Sequence, residues 1–174
     1  MIVLLIVLGV VLLAVILMYN KLVRLRNIMK KSQSGICVYL QHRFDLIPNL
    51  MNVVKGYIKH EKEVLTEIAS LRAQAMTDMK AANQLNAKMA ELFAVAEAHP
   101  DLKASEQFLN LQQALSKMES QLQAARRAYN MSVNDMNTAI EIFPSSIIAA
   151  IFNFKKGDLF ESADNIRENI KVEF

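Results

Sequence analysis

Apolar residues recur along this chain at three spacings, and each predicts a different kind of helix. The first is unbroken. Ile2 to Met18 (IVLLIVLGVVLLAVILM) holds no charged and no strongly polar residue. At about 1.5 Å per residue it spans ~25 Å, close to the ~30 Å hydrocarbon core of a bilayer. Tyr19 extends it with an interfacial ring, and Lys21 is placed to snorkel. A cleaved signal peptide wants basic residues before the apolar run and small residues at its end. Here nothing basic precedes Ile2, and the run closes on Leu17-Met18-Tyr19. No cysteine follows directly, as a lipoprotein site needs. A buried core helix is rarely apolar on every face for so long. The pattern predicts an uncleaved transmembrane anchor over residues 1–19.

The second spacing is a stripe. Leu22, Leu25, Met29, Ile36 and Tyr39 recur at intervals of three, four and seven, with Ser32 and Arg43 intruding on it. No glycine or proline lies between Tyr19 and Ser34, so the anchor helix is expected to continue as a stalk. Pro48 interrupts this. In a helix interior proline lacks the N–H donor and clashes with the preceding turn. The expectation is a break near Phe44–Ile47, with Asp45 as N-cap and Pro48 in the first turn of a new helix.

The third spacing is a heptad repeat. Ile47, Leu50, Val54, Tyr57, Val64, Ile68, Leu71 and Ala75 share one register, with Glu61 the one charge in it. It continues through Ala82, Leu85, Met89, Leu92 and Ala96, interrupted by Asp78. A helix over all of it would overshoot the stalk, so a break near residues 76–82, capped by Thr77 or Asp78, is expected. After the turn His99-Pro100-Asp101, a further run comprises Phe108, Leu111, Leu115, Met118, Leu122, Ala125, Tyr129, Met136 and Ile140. Phe143-Pro144 ends it. Such repeats pack helices at shallow angles. The predicted fold is all-α: an N-terminal transmembrane helix, then an antiparallel four-helix bundle of long, coiled-coil-like helices over residues 20–157. Residues 158–174 form a mixed, charged tail whose Val172 and Phe174 are placed to tuck back.

One short segment stands apart. Ile147 to Phe154 (IIAAIFNF) is too short to span a bilayer. It reads either as a short helix covering the bundle end or as an interfacial foot on lipid, with Lys155 and Lys156 at the headgroups.

Charge sharpens the membrane reading. The chain has 20 Lys+Arg and 17 Asp+Glu. Lys21, Arg24, Arg26, Lys30 and Lys31 cluster just after the apolar run; without them 15 basic residues face 17 acidic ones. The basic character thus belongs to a juxtamembrane collar, which argues against a nucleic-acid-binding body. Tyr19 and these five residues are the predicted membrane-interface set. A Lys/Arg excess on one side of a span favours retention of that side in the cytoplasm. The expected location is a bacterial inner membrane, with the N-terminus outside and the body cytoplasmic. The single Cys37 excludes an intramolecular disulfide and suits a reducing compartment.

Catalytic patterns are missing. His60-Glu61 resembles the start of HExxH, but Val64 stands where the second histidine belongs. The four glycines are too scattered for a phosphate loop, and neither a nucleophile elbow nor a kinase signature occurs. No catalytic residue, metal, cofactor or small-molecule substrate is expected.

Several blocks resemble the LemA family of bacterial membrane proteins. They are YNKLVRLRN (Tyr19–Asn27), RFDLIPNL (Arg43–Leu50), VKGYIKHEKEVL (Val54–Leu65), ARRAYN (Ala125–Asn130), NTAIEIFPSSIIA (Asn137–Ala149) and F-x-F-K-K at Phe152–Lys156. Their order and spacing match over nearly the whole chain. Ser34-Gly35-Ile36 departs from the aromatic and acidic residues common there, and a usual proline is replaced around Asn169. The resemblance implies an N-terminal anchor, an antiparallel helical bundle and no enzyme activity. Relatives in magnetosome membranes point towards membrane organisation.

Two functional classes follow. One is a non-enzymatic scaffold or adaptor, partnered by the lipid bilayer and by other envelope proteins or itself. The other is an accessory or regulatory subunit of a membrane enzyme such as a membrane protease; a hydrolase is a distant third. The blocks Arg43–Leu50 and Phe143–Lys156 are not explained by heptad packing. Asp45, Pro48, Asn49, Pro144, Ile151, Phe152 and Phe154 are therefore the candidate interaction surface. A helix start and a bundle cap are the competing readings of the two blocks.

Overall fold

A computed structural model describes residues 1–57, 62–75 and 79–160. All regular structure among them is helical: α1 (Ile2–Tyr57), α2 (Lys62–Gln74), α3 (Met79–Glu97), α4 (Pro100–Lys103), α5 (Glu106–Glu141) and α6 (Ser145–Ile151). His60-Glu61, the caps Thr77 and Asp78, and the tail from residue 161, including Asn169, Val172 and Phe174, lie outside the described residues. So does the exact site of the expected 76–82 break, which the end of α2 and the start of α3 bracket.

The chain divides into two compact units. Among the described residues, 1–36 with 124–160 form the first, and those within 37–123 the second. α1 and α5 each give one stretch to either unit.

The second unit holds the heptads. Ile47, Leu50, Val54, Ile68, Leu85, Leu92 and Leu102 are buried together with Phe44, Leu65, Met89 and Phe108. Full burial of each such side chain contributes roughly 1.5–3 kcal/mol, and the predicted seam is therefore the core. Tyr57 is the exception and lies exposed. Here α1 and α5 run antiparallel: Arg43 pairs with Glu119 at 2.6 Å, while Asn52 and Val53 share a groove with Asn110 and Leu111. Arg43 therefore does not spoil its stripe, because its head meets a carboxylate there. Between α2 and α3, Lys88 lies 2.9 Å from both Glu91 and Glu67. Hydrogen bonds to Glu91 and then Glu67 raise its pKa above 10.5. A raised lysine stabilises fully below 10.5, and that contribution is lost only as pH climbs through the raised value.

The expected break at Phe44–Ile47 does not occur. α1 continues through it with Pro48 inside, and Asp45 is a mid-helix residue instead of an N-cap. The cause is a non-local donor. Pro48 has no N–H for the Phe44 carbonyl four residues earlier. The Arg72 Nε of α2 donates to that oxygen at 2.7 Å. The same guanidinium lies 3.7 Å from Asp45, whose carboxylate also accepts from Gln41 at 2.8 Å. A hydrogen bond from a charged group is worth ~1.5–3 kcal/mol, which offsets much of the ~3 kcal/mol cost of an interior proline.

This exchange predicts a specific non-additivity. Arg72→Met should destabilise the chain lacking residues 1–18 by ~1–3 kcal/mol in urea unfolding. In a Pro48→Ala background the same change should cost less than about half as much, since an alanine at that position restores the helical donor. Equal losses in both backgrounds would remove the rescuing role from Arg72.

Candidate functional site

The first unit gathers one of the two candidate blocks beside the collar. α5 ends at Glu141 and a cis peptide joins Phe143 to Pro144. The buried Ser145 hydroxyl then donates to the Ala139 carbonyl at 2.7 Å and lies 3.0 Å from that of Ile142. It thereby supplies terminal α5 carbonyls with a partner they lack within the helix. This gives F-P-S-S a structural reason: the helix turns back and its end is satisfied by the residue after the turn.

α6 lays Ile148 and Ala149 against Leu22 and Ala139, and Val15, Met18, Tyr19, Leu25, Ile140 and Phe154 pack around them. α6 then closes in a Schellman arrangement. Phe154 N–H reaches the Ala149 carbonyl at 2.9 Å, and Asn153 N–H the Ala150 carbonyl at 3.3 Å. Asn153 sits at φ 53°, a left-handed position that asparagine tolerates better than most side chains. The reversal brings two aromatic rings to Tyr19. Phe152 lies 4.7 Å and Phe154 5.9 Å from it between centroids. The Arg26 guanidinium stands 5.3 Å over Phe154, a cation–π contact. Lys21, Arg24, Lys30 and Lys31 are exposed. Arg24 and Lys31 line a shallow groove with Asn20, Val23, Asn27 and Ile28.

Beyond Asn153 the chain runs without helix along α1 and α5. Two asparagines hold it. Asn137 donates to the Gly157 carbonyl at 3.0 Å and accepts from its N–H at 2.9 Å. Asn130 does the same with Phe160, at 3.1 and 2.7 Å. Tyr129 donates to the Asp158 carbonyl at 3.1 Å, and Arg126 stands 4.7 Å over the Phe160 ring. One heptad of helix advances about 10.5 Å, and three extended residues about 10 Å. That match lets successive amides grip residues 157 and 160. Gly157 lies close to α1: an added Cβ would meet Met29 Sδ at 2.7 Å, so that flexible side chain would have to move.

The other block lies in the second unit. Asp45 faces Arg72, and Pro48 borders a groove with Met51, Lys55 and Arg72. Asn49 lines an open, amide-rich groove with Asn52, Gln107 and Asn110. Pro144, Ile151 and Phe152 are exposed, and Phe154 is half-buried. Cys37 is exposed. Among the described residues no group of three or more His, Cys, Asp or Glu could hold a metal ion.

Sequence reading missed Asn130, Asn137, Arg72 and Ser145. Only the asparagines left a signal, being seven apart on one face of α5. Arg72 and Ser145 act on carbonyls, which carry no residue code.

The sequence model of the LemA family matches residues 32–174. The chain is also similar to Protein LemA of Metamycoplasma hominis, 24% identical over 158 residues, covering 87% of this chain and 72% of that protein.

The amide clamps generate a prediction. Asn137→Ala should accelerate hydrogen exchange at the Gly157 amide, and should destabilise by ~1–3 kcal/mol for two lost bonds. Asn137→Asp should recover only part of this, since a carboxylate can accept from the Gly157 N–H but cannot donate to its carbonyl. Unchanged exchange at Gly157 in both variants would show that the strap is held elsewhere.

Proposed function

The chain belongs to the LemA family, and we propose that this member is a non-enzymatic scaffold, fixed to the bacterial inner membrane by the start of α1. The observation that carries the reading is a bare apolar helix. Ile2 to Leu13 lie exposed along their whole length, and none of the other described residues covers them. The same helix runs on without a break into the basic collar and the buried stripe. An uncovered apolar surface of that extent calls for a nonpolar surrounding, and a bilayer supplies it.

Lys21, Arg24, Arg26, Lys30 and Lys31 favour a cytoplasmic body, since each basic residue near anionic inner-leaflet lipid gains ~1 kcal/mol. The scaffold's working surface is polar. The groove of Asn49, Asn52, Gln107 and Asn110 offers amide donors and acceptors without ionisable chemistry, which suits recognition of a protein surface.

Fusions after Phe174 should report the side. A fluorescent protein should glow and alkaline phosphatase stay inactive; the reverse pattern would place the body outside. Cross-linking in intact membranes tests the role. Recovery of the chain with itself or with several envelope proteins fits a scaffold, and one stoichiometric membrane protease would make it an accessory subunit instead.

A further inference from the structure

We propose that α6 is a membrane foot: its outer edge, with Phe143 ahead of it and Phe152 behind, is set into the interfacial layer of the same bilayer that α1 enters. This rests on the anchor reading and adds a second, peripheral contact to it.

The argument begins with the composition of α6. Ser145–Ile151 is SSIIAAI, and after its two serines it is apolar all round. A helix on a water-facing surface keeps a polar outer face. Ser145, Ile148 and Ala149 account for the buried side. Ile147 and Ile151, one turn apart on the other side, remain exposed, Ile151 at 68%. Phe143, four residues before Ile147, is 80% exposed, and Ile142 and Phe152 are about half exposed. The result is a contiguous aliphatic and aromatic edge with no charge on it.

Height decides what covers that edge. Val15, Met18 and Tyr19, the last apolar turns of α1, pack on the cluster that contains Ile148 and Ala149. The Phe152 ring touches Tyr19, where the span ends. If α1 crosses a membrane, α6 is thereby held at the boundary between acyl chains and headgroups. Interfacial helices bury their apolar side ~5–10 Å into that zone. The flanking charge agrees. Lys155 and Lys156 follow directly and are exposed, Lys156 also reaching Glu141 at 2.5 Å. Lys21 and Arg24 lie about half a turn and one and a half turns beyond Tyr19 on α1. Both segments present cations where lipid phosphates lie.

The chain has no tryptophan, so a single introduced one reports alone. Four full-length variants, Val10→Trp, Phe143→Trp, Ile151→Trp and Ala128→Trp, are reconstituted in vesicles of phosphatidylcholine and phosphatidylglycerol. The acyl chains carry bromine either near the glycerol end or deeper. Far-UV circular dichroism confirms that each variant folds, and Phe143→Trp replaces one exposed aromatic ring by another. Ala128 is exposed and lies about 21 Å along α5 from Ile142.

The foot predicts that Phe143→Trp and Ile151→Trp lose most of their emission to the shallow bromines, Val10→Trp to the deep ones, and Ala128→Trp to neither. Quenching at Val10 without quenching at Phe143 or Ile151 would overturn the foot and leave the anchor. An unquenched Val10→Trp would overturn both. Blue-shifted but unquenched emission at Ile151 would also overturn the foot, since the edge would then be covered by protein, a second copy of the chain being the simplest cover.

Discussion

The carbonyl oxygen of Phe44 has no donor in its own helix, because the residue four places on is Pro48. Everything about the course of α1 through the second unit turns on how that oxygen is satisfied. A buried carbonyl without a partner costs on the order of 1–3 kcal/mol, enough to favour ending the helix. Arg72 reaches it from α2, and Asp45, one residue on, keeps the guanidinium company. With that contact the helix need not end, and Ile47, Leu50 and Val54 continue the stripe of Ile36 on one element. The D-L-I-P-N-L block is thus not a helix start: its aspartate and proline belong to a joint between α1 and α2, and Pro48 and Asn49 each border a groove.

What could be read from the sequence divides along physical lines. Period and composition report which face of a helix is buried, and these readings match: Leu85, Leu92, Leu115 and Leu122 are buried as the heptads require. A bare apolar run is equally legible. Hydrogen bonds between side chains and distant carbonyls leave no period. Pro48 is legible as a breaker and Arg72 as an ordinary surface arginine, and only their juxtaposition across 24 positions changes the outcome. The same holds for Arg43, whose charge is a fault in a stripe until Glu119 stands opposite. The Phe143–Lys156 block admits two readings because α6 has two sides. The buried side, Ile148 and Ala149, packs on Leu22 of α1 and Ala139 near the end of α5, and the other side is exposed.

Several polar groups have structural roles: Arg72 and Ser145 satisfy helix carbonyls, Lys88 staples α2 to α3, and Asn130 and Asn137 hold a strap. Lys88 between Glu67 and Glu91 is the clearest instance, a cation shared by two carboxylates on neighbouring helices. Under the scaffold reading proposed above, the surfaces open to a partner are the amide-rich groove at Asn49 and the outer edge of α6.

The strap after α6 is held largely through its backbone. Asn130, Asn137 and Tyr129 address only N–H and C=O groups of residues 157, 158 and 160. Every residue except proline offers that pair. Among the side chains, Phe154 packs on Tyr19, Lys156 pairs with Glu141, Gly157 lies beside Met29 and Phe160 stacks under Arg126. Lys155, Asp158 and Leu159 point a changeable face outwards from an unchanging backbone track. Such a track behaves like a label holder: what is written on it can be exchanged while the fastening stays the same.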